Sequence, residues 1–237
     1  MTTEYQGMDT ARTWMALGAG KPVAEAAAGG HTRKAERIIK RSLDILIASM
    51  ALATLAPLLL LVGLMVKISD GGSVFYSHRR VGMGGREFGC LKFRTMREDA
   101  AERLAALLAS GPEIRREWEE TRKLKDDPRV TLLGNLLRRS SLDELPQLLN
   151  VLLGHMSLVG PRPVTSEELP RYAEHLEAYL TVRPGLTGHW QTSGRSDVSY
   201  QSRVLMDAEY AQDWSLMWDV QIMFKTVPVL FSGKGSC

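Results

Sequence analysis

The chain has 237 residues, 30 Lys and Arg against 27 Asp and Glu for a net charge of +3, and a hydrophobic share of 44%. That balance excludes disorder of the whole, and the mild basicity suits an anionic membrane surface or phosphorylated substrates as well as it suits a ribosome-associated or DNA-binding protein. Two cysteines, Cys90 and Cys237, are too few for a secreted disulfide framework, and the five histidines show no zinc-like spacing.

The first 34 residues carry Ala/Gly-rich stretches such as AEAAAGG and no periodic apolar face, so they read as a poorly ordered tail and not as a signal peptide. From Ile45 to Val66 the chain holds no charge. As a straight helix this run is ~33 Å long, enough for a hydrocarbon core of ~30 Å. Two features oppose a simple span. Pro57 removes a helix hydrogen bond near the centre. Arg33, Lys34, Arg37, Lys40 and Arg41 precede the run and Lys67, Arg79, Arg80 and Arg86 follow it, so spanning would export one basic flank. A helix that enters, bends at Ala56-Pro57 and leaves on the same side keeps both flanks in the cytoplasm.

Ser73–Arg80, the glycine turn Gly82–Gly85 and Glu87–Thr95 predict a β-hairpin. Alternation in Leu91-Lys92-Phe93-Arg94 puts Lys92 and Arg94 on one face, where they can hold a phosphate or simply meet solvent. Glu98–Ser110 and Glu113–Leu124 predict charged helices split at Gly111-Pro112, and Thr131 predicts a cap for a short helix carrying Arg138 and Arg139. Helices are also predicted over Leu148–Leu153, ending at Gly154, over Glu167–Leu180, Val198–Trp214 and Leu216–Val227, with a loop over Pro184–Asp197. Leu216, Val220, Met223, Phe224 and Val227 share one stripe. Trp214 and Trp218, one turn apart, fit either an interfacial anchor or a core.

The sharpest chemical feature is Ser141-Leu142-Asp143-Glu144-Leu145-Pro146-Gln147. Pro146 biases Leu145 away from helical geometry, which sets the acidic pair at the threshold of the next helix, where backbone N–H groups keep carboxylates ionised. An ionised Asp143 can attack phosphorus and Glu144 can hold Mg²⁺. The plain alternative is a capping box between Ser141 and Glu144. Arg138 and Arg139 lie just upstream, and Pro161 and Pro163 restrict Arg162, whose guanidinium fork matches phosphate oxygens.

With these elements in place the sequence resembles the bacterial sugar transferases, the monotopic polyprenyl-phosphate phosphoglycosyl transferases. The resemblance rests on KRSLDILIASMALATLAPLLLL, VFYSHRRVGMGGREFGCLKFRTM, LRRSSLDELPQLLNVLLGHMSLVGPRP and RPGLTGHWQTSGR, in family order from Lys40 onward. It implies a mostly α fold with a small β-hairpin: a poorly ordered tail (1–34), a re-entrant membrane helix–break–helix at Pro57 (35–69), and a cytoplasmic catalytic domain (70–237) ringed by interfacial amphipathic helices at the bacterial inner membrane. It further implies transfer of glucose- or galactose-1-phosphate from a UDP-sugar to undecaprenyl phosphate, releasing UMP, as the first membrane step of exopolysaccharide synthesis. Asp143 is then the nucleophile, Glu144 the Mg²⁺ ligand, and Lys92, Arg138, Arg162 and Gln191 contact substrate. No nucleic acid is implied, and homo-oligomerisation stays open. Two other readings remain: a glycosyltransferase using Asp126-Asp127 for metal, and a non-catalytic scaffold for polysaccharide assembly.

Overall fold

Leu-, Ala- and Ile-rich sequence with no glycine between Gly30 and Gly63 builds one long helix, α1 (Gly30–Asp70), in the computed structural model. The residues described are 30–121, 124, 127–193 and 198–232; the tail before residue 30, and Cys237, lie outside them. Helical structure continues through Pro57, which has no N–H to give the Ala53 carbonyl. The expected break at Ala56-Pro57 is therefore a weakened turn inside one helix and not a gap between two.

The predicted hairpin forms from β1 (Phe75–Val81) and β2 (Glu87–Phe93), antiparallel, with Phe75 opposite Phe93 and Val81 opposite Glu87. Charged helices α2 (Ala100–Ser110) and α3 (Pro112–Thr121) follow, parted at Gly111. Thr131 caps α4 (Leu132–Arg139): its hydroxyl accepts the Gly134 N–H at 2.9 Å. Next come α5 (Gln147–Leu152), β3 (Ser157–Val159), α6 (Leu176–Leu180), β4 (Gly185–Thr187), α7 (His189–Ser193), α8 (Tyr200–Asp213) and α9 (Leu216–Ser232).

Two predicted elements change, and one small sheet is new. The helix predicted over Glu167–Leu180 is a 3₁₀ segment, Leu169–His175, interrupted where Ala173 takes φ 44° and ψ −121°, followed by α6. The loop predicted over Pro184–Asp197 contains β4 and α7; residues 194–197 lie outside those described. β4 pairs in parallel with β3, a sheet of three-residue strands too short for alternation to betray.

Three apolar clusters organise the fold, and α1 enters two. Ala48 packs with Leu148, Val151, Met156 and Ile222, while Val62 and Val66 pack with Phe93 and Leu137. Val81, Val164, Tyr172, Tyr179 and Val204 form the third. Buried polar contacts fix the N-terminal half of α1. Lys40 Nζ donates to Asp219 at 2.6 Å and to the Val159 carbonyl at 3.0 Å. Arg41 donates to the Val151 and Leu152 carbonyls that end α5. Asp44 accepts from Ser157 Oγ and Leu158 N–H. At the other end Asp70 pairs with Arg94.

Between these anchors α1 exposes Leu46, Met50, Leu60, Leu61 and Leu64. Leu132 and Leu136 of α4, and Met217, Phe224 and Val227 of α9, are exposed as well. The predicted α9 stripe is rotated: Asp219 and Ile222 are buried, Met223 packs on the core, and Phe224 faces outward. Trp214 donates to Asp219 and Trp218 packs on Tyr210 and His189, so both tryptophans belong to the packed interior.

Candidate active site

Two loops interlock to build one wall of the site. The Gly160 N–H donates to the Thr187 carbonyl at 2.9 Å and the Gly185 N–H to the Pro161 carbonyl at 2.8 Å. A Cβ at Gly160 would lie 2.4 Å from the Arg183 carbonyl oxygen, and one at Gly185 would lie 2.1 Å from Gly160 N. Only glycine permits this approach, and it sets Arg162 beside Gln191 of α7. The Arg162 guanidinium lies 6.0 Å from the buried Trp190 ring.

The opposite wall comes from β2 and the turn before α5. Asn150, fully buried, accepts the Leu91 N–H at 2.9 Å and donates to the Gly89 carbonyl at 2.7 Å, which locks α5 to β2. Through that lock Lys92 Nζ reaches Glu144 Oε1 at 2.5 Å. Asp143 and Glu144 occupy a 3₁₀ turn, Leu142–Glu144, entered through Ser141 at φ +56°. A left-handed serine is strained, a state that persists where surrounding structure enforces it.

Several sequence expectations change here too. Ser141 makes no side-chain cap, so the capping-box reading fails. Leu145 is helical (φ −55°, ψ −34°), so Pro146 does not turn the chain away; the acidic pair runs almost directly into α5. Lys92 and Arg94 do not act together, because Arg94 is taken by Asp70 and Glu98. Asp127 is held by Arg129, so it is not free to serve as a metal site; Asp126 lies outside the described residues.

A cleft is lined by Arg80, Cys90, Lys92, Glu144, Gln147, Arg162, Pro163, Gly185, Leu186 and Gln191. It thus gathers Lys92, Glu144, Arg162 and Gln191. Arg138 stands apart from this lining: its Nε donates to Thr95 Oγ1 at 2.9 Å, and its charge acts on Asp143. Asp143 is buried beside the cleft, within the fields of Lys92, Glu144 and Arg138. Pro57 belongs to the stretch of α1 whose neighbours, Leu58 and Leu59, pack with Phe93 and Leu142, the residues adjoining Lys92 and Asp143.

Sequence reasoning missed Arg80, Gln147 and Asn150. Arg80 donates to Glu168 and to the Pro163 carbonyl, joining β1 to the Arg162 loop. Its signal was present in the alternation of β1, but it was read there as a topological charge.

Burial pushes the Asp143 carboxyl up to about 6; Lys92 and Arg138 oppose that rise and Glu144 adds to it. At Asp143 removal from water outweighs the favourable helix N-terminus on which the sequence reading rests. Asp143 is still mostly ionised at neutral pH. Glu144 moves the other way: burial alone would raise it, but Lys92 and Arg162 hold it below the usual carboxylate range. Among the described residues no three His, Cys, Asp or Glu side chains converge as a metal cage. A Mg²⁺ held by one carboxylate, substrate phosphates and water needs no such cage, and the ionised Glu144, with Lys92 on Oε1, is a carboxylate that could serve such an ion.

Residues 35–233 match the family model described as bacterial sugar transferase. The exopolysaccharide production protein ExoY of Sinorhizobium fredii is 56% identical over 87% of this chain and 92% of its own length. The undecaprenyl-phosphate galactose phosphotransferase of Salmonella typhimurium is 47% identical over 86% of the chain and 43% of its own length. The UDP-glucose:undecaprenyl-phosphate glucose-1-phosphate transferase of Caulobacter vibrioides is 40% identical over 86% and 74% respectively.

Proposed function

The chain belongs to the bacterial sugar transferase family, and on that premise we propose that it transfers glucose- or galactose-1-phosphate from a UDP-sugar to undecaprenyl phosphate, releasing UMP, at the start of exopolysaccharide synthesis. The observation that carries this reading is the buried Asp143 beside an ionised Glu144 that pairs with Lys92, in a cleft whose other wall carries Arg162.

Asp143 attacks the β-phosphorus of the donor. The bond from that phosphorus to the bridging oxygen breaks, and UMP leaves with the electron pair. An oxygen of undecaprenyl phosphate then attacks the same phosphorus, the bond to Asp143 breaks, and the carboxylate is restored. Two displacements through a covalent aspartyl-phosphosugar replace one difficult encounter between bulky anions. Lys92 and Arg162 offset charge on the transferring phosphates, and Arg138 acts on Asp143 from outside the cleft. Glu144 would hold a Mg²⁺ ion, which when bound would add charge neutralisation at the phosphates.

The same reading places α1 as a re-entrant helix in the bacterial inner membrane, with the catalytic residues on the cytoplasmic side. Lys40, Arg41 and Asp44 at one end and Asp70 at the other are held by a single folded unit, which supports entry and exit on one face. The exposed leucines of α1 and α4 supply apolar surface for the membrane, at whose boundary a soluble donor and a lipid phosphate can meet. Incubation of purified protein with UDP-glucose or UDP-galactose and a short polyprenyl phosphate should release UMP. Release of UDP would instead mean transfer of the sugar alone and overturn the proposal.

A further inference from the structure

Gln191 lines the cleft with an amide that is only half used. Its Nε2 donates to the Leu186 carbonyl at 3.5 Å. Its Oε1 is buried without a hydrogen-bond partner among the described residues. A backbone carbonyl only accepts, so Leu186 selects Nε2 as its neighbour and fixes which way the amide faces. The oxygen is the atom left over. Gly188 leaves room for it, since a Cβ there would lie 2.7 Å away. A buried amide oxygen with no donor is costly, and such groups in native folds are commonly met by a ligand or water.

Resting on the UDP-sugar reading above, we propose that Gln191 reads the base of the donor nucleotide by accepting N3–H of uracil at Oε1. The order of groups along the donor supports this placement. With the β-phosphate at the Asp143–Glu144 turn and the α-phosphate at Arg162, the nucleoside extends toward Gly185, Leu186 and Gln191, on the wall opposite Lys92. Leu186 packs against the apolar interior and offers the base an apolar neighbour. The Trp190 face is not available for stacking, because the guanidinium groups of Arg162 and Arg203 lie over it. Recognition therefore falls to the edge of the base. Uracil presents a donor at N3, whereas cytosine, of the same size, presents a lone pair that opposes Oε1.

The test compares UMP and CMP as ligands of the full-length protein in detergent micelles, by calorimetry and by inhibition of donor turnover. Wild type is expected to bind UMP at least about tenfold more tightly than CMP. Gln191→Met and Gln191→Leu should each bring the two affinities within about threefold, by weakening UMP. The ratio is measured within one preparation, so a partly unfolded sample does not alter it. Discrimination of tenfold persisting in both variants, or absent from wild type, would overturn the role of Gln191 while UMP release still upheld the reaction. Wild type that binds neither nucleotide and releases no UMP would overturn the donor reading, and this inference with it.

Discussion

Lys92 Nζ stands 2.5 Å from Glu144 Oε1, joining residues 52 apart in the chain on one wall of the cleft. This contact divides the labour of two adjacent carboxylates. Glu144 is held ionised by its lysine, while Asp143, deeper and less compensated, is pushed up to about 6. Neighbouring acids whose proton affinities are driven apart have separate tasks. The more basic carboxylate is the better nucleophile, and the more acidic one is suited to a cation.

Asp143→Asn is expected to abolish UMP release and at the same time to stabilise the fold. The carboxyl binds its proton more tightly when folded than when unfolded, so its contribution is fully present below about pH 4 and is lost as pH rises through 6. Above that, burying the ionised group costs up to about 3 kcal/mol, which the amide does not incur. The melting temperature of the variant should exceed that of wild type at pH 7.5 and match it near pH 4. Normal turnover, or an unchanged melting temperature at pH 7.5, contradicts the assignment.

The same carboxyl sets a pH limit on the reaction. With Asp143 as the proposed nucleophile, the attack needs it ionised, so kcat/KM for the donor should fall about tenfold per pH unit below 6. A rate that holds flat down to pH 4.5 would mean that a group of ordinary acidity makes the attack.

The acidic pair, the hairpin and the basic residues around them were legible because each rests on a local pattern: period-two alternation, a glycine turn, a proline-bounded arginine. What escaped were the contacts that decide protonation and reach. Asn150 locks α5 to β2 from 59 residues away, and nothing in its neighbourhood announces that role. The sign of the Asp143 shift depends on burial, a tertiary fact that overrides the helix terminus. Arg94 failed as Lys92's companion because Asp70 at the end of α1 reaches it first. Pairs of three-residue strands such as β3 and β4 leave no periodic trace, yet they place Gln191 beside Arg162.

Glu144→Gln should uncouple the reaction from its divalent ion. Chelation is expected to stop wild-type turnover and added Mg²⁺ to restore it, whereas the amide variant stays at least about a hundredfold slower at any Mg²⁺ concentration, since a neutral amide is a poor ligand. Wild-type activity in excess chelator would remove the metal from the scheme.

Arg162→Lys should be poorly tolerated although charge is kept. The Arg162 guanidinium lies over Trp190, and on the proposed reading its fork would meet phosphate oxygens in pairs; lysine supplies a point charge and a different reach. A loss of at least tenfold in kcat/KM is expected. Equality with wild type would make Arg162 a structural part of the loop that Tyr179 and Arg80 already brace.

Topology gives the last test. With Cys90 and Cys237 replaced, a single cysteine placed before Lys34 and another returned to position 237 should be labelled from the same side by an impermeant reagent on intact cells. A periplasmic N-terminus with a cytoplasmic C-terminus would establish a true span and defeat the re-entrant reading. Pro57→Leu probes the same question from within the helix. Restoring the missing hydrogen bond favours a continuous apolar rod, and that draws some molecules toward spanning. Two forces resist. Spanning would carry Lys34, Arg37, Lys40 and Arg41 across the membrane against the charge rule. It would also strip Lys40 from Asp219, Arg41 from the end of α5, and Asp44 from Ser157 and Leu158, leaving buried charges unpaired. The expected outcome is a mixed population in which sugar-phosphate transfer falls in step with the fraction labelled outside, because α5 and the acidic turn that leads into it lose the helix that braces them.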